Sequence, residues 1–120
     1  MIKQNLHCHT TFDDGADTPE EMVTAAVSAG LTSLGISAHS PVSGEVWCVS
    51  EENEPEFKAE LHRLREKYRG LIDVYCGLEY DSRSAQRFEG YDYVIASVHA
   101  LSGTTIDNTI EEARQVIEHY

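Results

Sequence analysis

Hydrophobic positions along the chain follow two alternating rhythms. Short runs of aliphatic and β-branched residues at Ile2–Leu6, Thr32–Ala38, Leu71–Leu78 and Tyr91–Val98 predict four strands. Between them the pattern turns helical. Thr18-Pro19-Glu20-Glu21 combines a capping Thr, a Pro in the first turn and a Glu three residues after the cap. That start predicts a helix to about Ala29, with Gly30 as its stop. Pro55 opens a second helix whose apolar stripe is Phe57, Leu61, Leu64 and Tyr68, ended by Gly70. A short helix or turn is expected over Ser82–Glu89. A last helix is expected from Thr109, with Glu112 three residues on and Ile110, Ala113 and Ile117 as its stripe.

The order βαβαβαβα implies parallel strands joined by helical crossovers, which suits a doubly wound sheet or a barrel. A whole (β/α) barrel takes about 250 residues, so these 120 residues hold roughly half of one. The sequence ends at Tyr120 in mid-helix with no capping residue. The expectation is one domain over residues 1–120, truncated at its C-terminal end.

Hydrophobic residues make up 41% and charged residues 25%, a globular composition, and no apolar run approaches the ~20 residues of a membrane span. Met1–Asn5 is too short and polar for a signal peptide, so a cytoplasmic location is expected. Cys8, Cys48 and Cys76 form no CxxC pair and read as reduced structural thiols. The net charge of −12 argues against a nucleic acid partner, which needs a surplus of Lys and Arg. It also fits a protein that handles phosphate only if bound cations supply the positive field.

The candidate chemistry lies at the strand ends. His7-Cys8-His9 follows the first run, His39 the second, Glu79 the third and His99 the fourth. Residues two apart on a strand point the same way, so His7 and His9 can meet one ion while Cys8 points away. Counting back by two from His39 gives Ser37 and Gly35, from Glu79 Gly77 and Tyr75, and from His99 Ser97 and Ile95. The opposite faces carry Leu34, Ile36 and Ala38; Val74, Cys76 and Leu78; Val94, Ala96 and Val98, all suited to packing under helices. Each of the five candidates is a metal-ligand type, and all sit at the end of the strands where barrel enzymes place their sites. Any one alone would read as a turn or surface residue; four successive strands ending in His or Glu on a consistent face point to metal. Asp13 and Asp14 lie in the first loop, within reach of the site or simply as turn residues before Gly15. Arg83 and Arg87 are candidates to greet a phosphate or inert surface charges. His62, off its helix stripe, and His119 read as bystanders.

His7-Cys8-His9-Thr10-Thr11-Phe12-Asp13-Asp14-Gly15, Gly30–His39, Gly77-Leu78-Glu79-Tyr80 and Asp92–His99 together resemble the motifs of the polymerase-and-histidinol-phosphatase (PHP) superfamily, above all its histidinol-phosphatase branch. The resemblance implies the N-terminal portion of a distorted (β/α)7 TIM-like barrel with a site for two or three divalent ions, zinc, manganese or iron. By that likeness His7, His9 and Glu79 hold one ion. Glu79 bridges to a second with His99, and His39 serves a third with Asp14; Glu79 and Asp14 take the catalytic parts. The implied activity is hydrolysis of a small phosphorylated substrate, L-histidinol phosphate, in histidine biosynthesis. The family's later ligands, a further His and a distal Asp-x-His pair, would lie beyond residue 120, which leaves a catalytically incomplete fragment as the alternative. An open half-barrel edge would then favour self-association. An amidohydrolase-like hydrolase also places HxH after its first strand, but no Lys stands at a matching strand end here.

Overall fold

A computed structural model describes residues 3–97, 100–101 and 104–105. Its elements are β1 (Gln4–Asn5), α1 (Pro19–Ser28), β2 (Ser33–His39), α2 (Glu54–Lys67), β3 (Asp73–Asp81) and β4 (Tyr93–Ser97), followed by β5 (Ala100–Leu101) and β6 (Thr104–Thr105). The first four strands form one parallel sheet in the order β1-β2-β3-β4. The last two pair antiparallel as a small separate ladder that the hydrophobic pattern did not indicate.

The helix signals act locally, as the sequence implies. Thr18 Oγ accepts from the Glu21 amide and the Glu21 carboxylate accepts from the Thr18 amide, both at 3.2 Å, with Pro19 in the first turn. Gly30 then takes φ 82°, the left-handed conformation that ends the helix. α2 begins at Glu54, with Pro55 in its first turn and no side-chain cap from Asn53.

Strand bounds shift more, because ladders are set by partners. β3 starts later than Leu71, after a turn in which the Ile72 amide bonds back to Tyr68, and runs on to Asp81. Its extension is held by β4, which pairs Glu79 with Ile95 and Asp81 with Ser97. Glu79 therefore lies within the strand and not just past it. β1 keeps only two ladder residues before the chain diverges. The segment expected as a short helix or turn after β3 is turns and irregular chain. The helix expected from Thr109 lies outside the described residues.

One face of the sheet packs under the helices. Leu34, Ile36, Ala38, Val74, Cys76 and Leu78 are at most 4% exposed, and all but Leu78 join Val23, Ala26, Phe57, Leu61 and Leu64 in one core cluster. Each Val, Leu, Ile or Phe side chain among them contributes about 1.5–3 kcal/mol on burial. Arg65 bonds the Val74 carbonyl and pairs with Asp92, whose carboxylate also accepts from the Cys76 amide, so α2 is tied to β3 and to the entry of β4. β4 departs from expectation: its helix-side residue Val94 is 39% exposed, and no helix among the described residues covers it.

The other face is lined by small and polar residues. Tyr93 crosses it from β4, over Gly77 and Gly35, and its hydroxyl donates to the Leu6 carbonyl at 2.5 Å. A Cβ at either glycine would collide with the Tyr93 ring, so the crossing requires both glycines. The strand ends beyond this crossing carry the candidate ligands.

Candidate metal centre

The segment 7–15 wraps the C-terminal end of β1 and β2. Cys8 turns into the core and its thiol donates to the Gly35 carbonyl at 3.3 Å, while His7 and His9 face the site on either side of it. Burial, aided by the Asp13 charge, pushes the Cys8 thiol up to about 11, which makes it a structural and not a reactive group. The chain then closes a tight turn in which the Asp13 and Gly15 amides both bond the Thr10 carbonyl, at 3.0 and 2.8 Å. A side chain at Gly15 would strike the His9 and Thr10 backbone, so this turn demands glycine.

Asp13 is the organiser of the turn. Its fully buried carboxylate accepts from the Thr10 amide at 3.2 Å, from the His39 amide at 3.0 Å, and meets His9 Nδ1 at 2.6 Å. Burial alone would raise its pKa, and the bonds from His9, His39 and Thr10 outweigh it and hold the carboxyl below the usual range. The same bond raises the pKa of His9 against its own burial. With the ring proton shared between Nδ1 and Asp13, the Nε2 lone pair of His9 is left for the group around Glu79.

Glu79, 4% exposed, divides its two oxygens. Oε1 contacts His7 Nε2 and lies 3.7 Å from His9 Nε2; Oε2 lies 2.5 Å from His39 Nδ1. His39 stacks on His9 at 4.3 Å between ring centres, and its Nε2 is 3.2 Å from Asp14 Oδ2. Burial lowers the pKa of His39, against the charges of Glu79 and Asp14, which favours the neutral form that ligates metal.

The structure thus gathers two overlapping groups, His7–His9–Glu79 and His9–Asp13–Asp14–His39, each with ligand atoms within 4.8 Å of one another. Imidazole nitrogens and carboxylate oxygens in such a cluster suit divalent zinc, manganese or iron. Three carboxylates crowd the cluster, and burying Glu79 and Asp13 there is costly without a cation to offset it. The donor set fits divalent ions.

Of the residues singled out from the sequence, His7, His9, Asp13, Asp14, His39 and Glu79 come together here. His99 lies outside the described residues, as does His119. Arg83 is engaged by Asp81, and Arg87 pairs with Glu51 at 3.0 Å on the surface. His62 is exposed on α2. Two neighbours of the site escaped the sequence reading. Asp81 continues the Glu79 face by one further step of two, a parity signal that the underestimated length of β3 concealed. Trp47 sits in the loop after β2, where no periodicity marks it.

The sequence from residue 5 to residue 120 matches the PHP domain family model. The chain belongs to the PHP family. Its relatives include a probable histidinol-phosphatase of Deinococcus radiodurans, 34% identical over 85% of this chain and 44% of the relative, and a histidinol-phosphatase of Lactococcus lactis, 28% identical over 98% and 47%. This PHP chain therefore spans about half the length of the curated relatives it matches. The crystal structure of the Lactococcus lactis histidinol phosphate phosphatase, complexed with zinc, L-histidinol and phosphate, superposes with a TM-score of 0.73 at 26% identity, over 95% of this chain and 49% of that one. The four-stranded parallel sheet and its helices are thus part of a TIM-like PHP barrel.

Proposed function

We propose that this PHP domain belongs to a metal-dependent phosphoester hydrolase, a phosphatase acting on L-histidinol phosphate in the cytoplasm. The observation that carries the reading is Glu79, whose two buried oxygens face His7 and His9 on one side and His39 on the other. The histidinol phosphatases among its relatives support the substrate.

In this reading His7, His9 and Glu79 hold one ion, Asp14 and His39 hold another, and His99 adds a further ligand. Two bound divalent ions would supply a nucleophilic water near neutral pH and neutralise the phosphoryl oxygens. The chain's own residues do the arranging. Asp13 fixes the tautomer of His9 through Nδ1, which leaves the His9 Nε2 lone pair for the site, and tethers the His39 backbone beside it. Tyr93 fills the sheet face behind the cluster and leaves the C-terminal end for substrate.

The test is metal analysis with a phosphatase assay on L-histidinol phosphate and a panel of other phosphomonoesters, run on these 120 residues and on a form of the relatives' full length. The expected result is bound divalent metal and hydrolysis of L-histidinol phosphate by the longer form. A metal-loaded longer form that hydrolyses no phosphomonoester would overturn the reading. A second reading, that the 120 residues bind metal weakly and do not turn over alone, is favoured by the half-exposed His7, one of the three donors that the first group has among the described residues. Self-association through the sheet edge would then be seen by sizing chromatography, and a clean monomer would count against it.

A further inference from the structure

The imidazole of a ligating histidine turns through a broad, shallow torsion at its second side-chain angle, so its orientation has to be imposed by neighbours. For His39 one side is set by Glu79 and by the stacked His9 ring. The other side is met by Trp47, whose ring stands at 88° to the imidazole with centres 5.2 Å apart. Trp47 is itself pinned. Its indole N–H donates to Glu45 at 2.8 Å, and the Arg83 guanidinium lies over its ring, 5.5 Å from the centre. Arg83 in turn is locked by a fully buried carboxylate: Nε and Nη2 each meet an Asp81 oxygen at 2.9 Å, and the Arg83 amide bonds the same side chain at 2.8 Å. Asp81 is fixed to the foot of the Trp47 loop, since its amide donates to Ser40 Oγ at 2.9 Å.

We propose that Asp81, Arg83 and Trp47 form a positioning stack for His39, running from a buried strand-end carboxylate through a guanidinium and an indole to the imidazole. The inference rests on the metal-centre reading above and goes beyond it by giving three residues outside the ligand groups a defined task. The fork of Arg83 is committed to Asp81 in the parallel, two-bond geometry that confers rigidity. A guanidinium so anchored is a stiff platform for an indole face, an arrangement with its own attraction. An aromatic ring held perpendicular to an imidazole blocks its rotation and adds edge-to-face attraction. Arg83 thereby acts as a positioning residue and not as the cation that binds phosphate.

Trp47 is the single tryptophan of the sequence, so its emission reports on the stack directly. The protein, stripped of metal, is titrated with Co2+, following both Trp47 fluorescence and the Co2+ absorption bands. Binding beside His39 should quench Trp47, and His39→Asn should remove that step. Trp47→Ala should weaken the same Co2+ step about tenfold, as loss of an outer partner does, with the other step within a factor of about three. Trp47→Phe should restore it. Arg83→Ala should weaken it similarly, and should add nothing in the Trp47→Ala background, because both act through one contact. Co2+ binding by the wild type with an unchanged His39 step in Trp47→Ala would overturn the stack and leave the metal centre standing. Equal weakening of both steps would also overturn it, by showing a general effect on the fold. No Co2+ binding by the wild type would overturn both readings.

Discussion

On the helix side of β2 and β3, Leu34, Ile36, Ala38, Val74, Cys76 and Leu78 are at most 4% exposed; on the opposite side Ser37, Glu79 and Asp81 are as dry, at most 4%. The two faces share backbone, burial and length, and differ only in what is buried. The helix side removes apolar surface from water and gains stability in proportion to area. The site side holds carboxylates that lose hydration, offset by imidazoles, amides, one guanidinium and, when bound, metal. Stability and function are thereby assigned to opposite faces of one ladder, and variants on the two faces should fail in opposite ways.

The largest effect is expected from Glu79→Gln, which faces both ligand groups. Metal affinity should fall well beyond the ~10–100-fold typical of losing an outer partner, while the melting temperature of the metal-free protein stays level or rises, since a buried charge has been removed. Metal retention in the variant, measured by elemental analysis, would break the assignment. Leu61→Ala on the other face should do the reverse. Denaturant unfolding should show a loss of about 2–5 kcal/mol, with metal stoichiometry of the folded fraction unchanged. Asp13→Asn comes next. It keeps an acceptor for the His39 amide but loses the charge that sets the His9 proton, so metal affinity should fall by about 10–100-fold, read by competition with a chelator.

The smallest effect belongs to the outer surface of the helices, where Glu20 meets Lys67, Arg63 and Tyr68. Hydrogen bonds from these three, Lys67 foremost, hold its carboxyl down at about 2 against an ordinary 4.5. A folded-state value below the unfolded one gives stability that is full above about pH 4.5 and lost as the pH falls toward 2. Glu20→Gln should therefore lower the melting temperature slightly at pH 7, and the difference from wild type should vanish in acid and shrink in high salt. A difference that stays undiminished between pH 7 and pH 2 would remove the ion pairs as its cause.

Much of this was legible in the order of residues. The cap at Thr18, the α2 stripe of Phe57, Leu61 and Leu64, and the parallel order of the strands all rest on periodicities and neighbours within a few positions. The alternation that put Ile36 on one face of the sheet and His39 on the other is equally local, because the pleat repeats every two residues. Bounds were less legible. β3 reaches Asp81 because β4 pairs with it there, and the register of two strands is not written in either one alone.

Alternation told which way His39 and Glu79 point, from the sequence and nothing more, because side-chain direction follows from the chain's own geometry. Only the tertiary structure decided that Glu79 divides its oxygens between two groups of ligands, that Asp13 ties His9 to the His39 backbone, and that Asp81 reaches Trp47 through Arg83. Those contacts join residues distant in the chain, such as His7 with Glu79 or Asp13 with His39, whose separations are fixed by how strands and loops pack and not by spacing along the chain. A residue's face is a property of its strand, and its partners are a property of the fold.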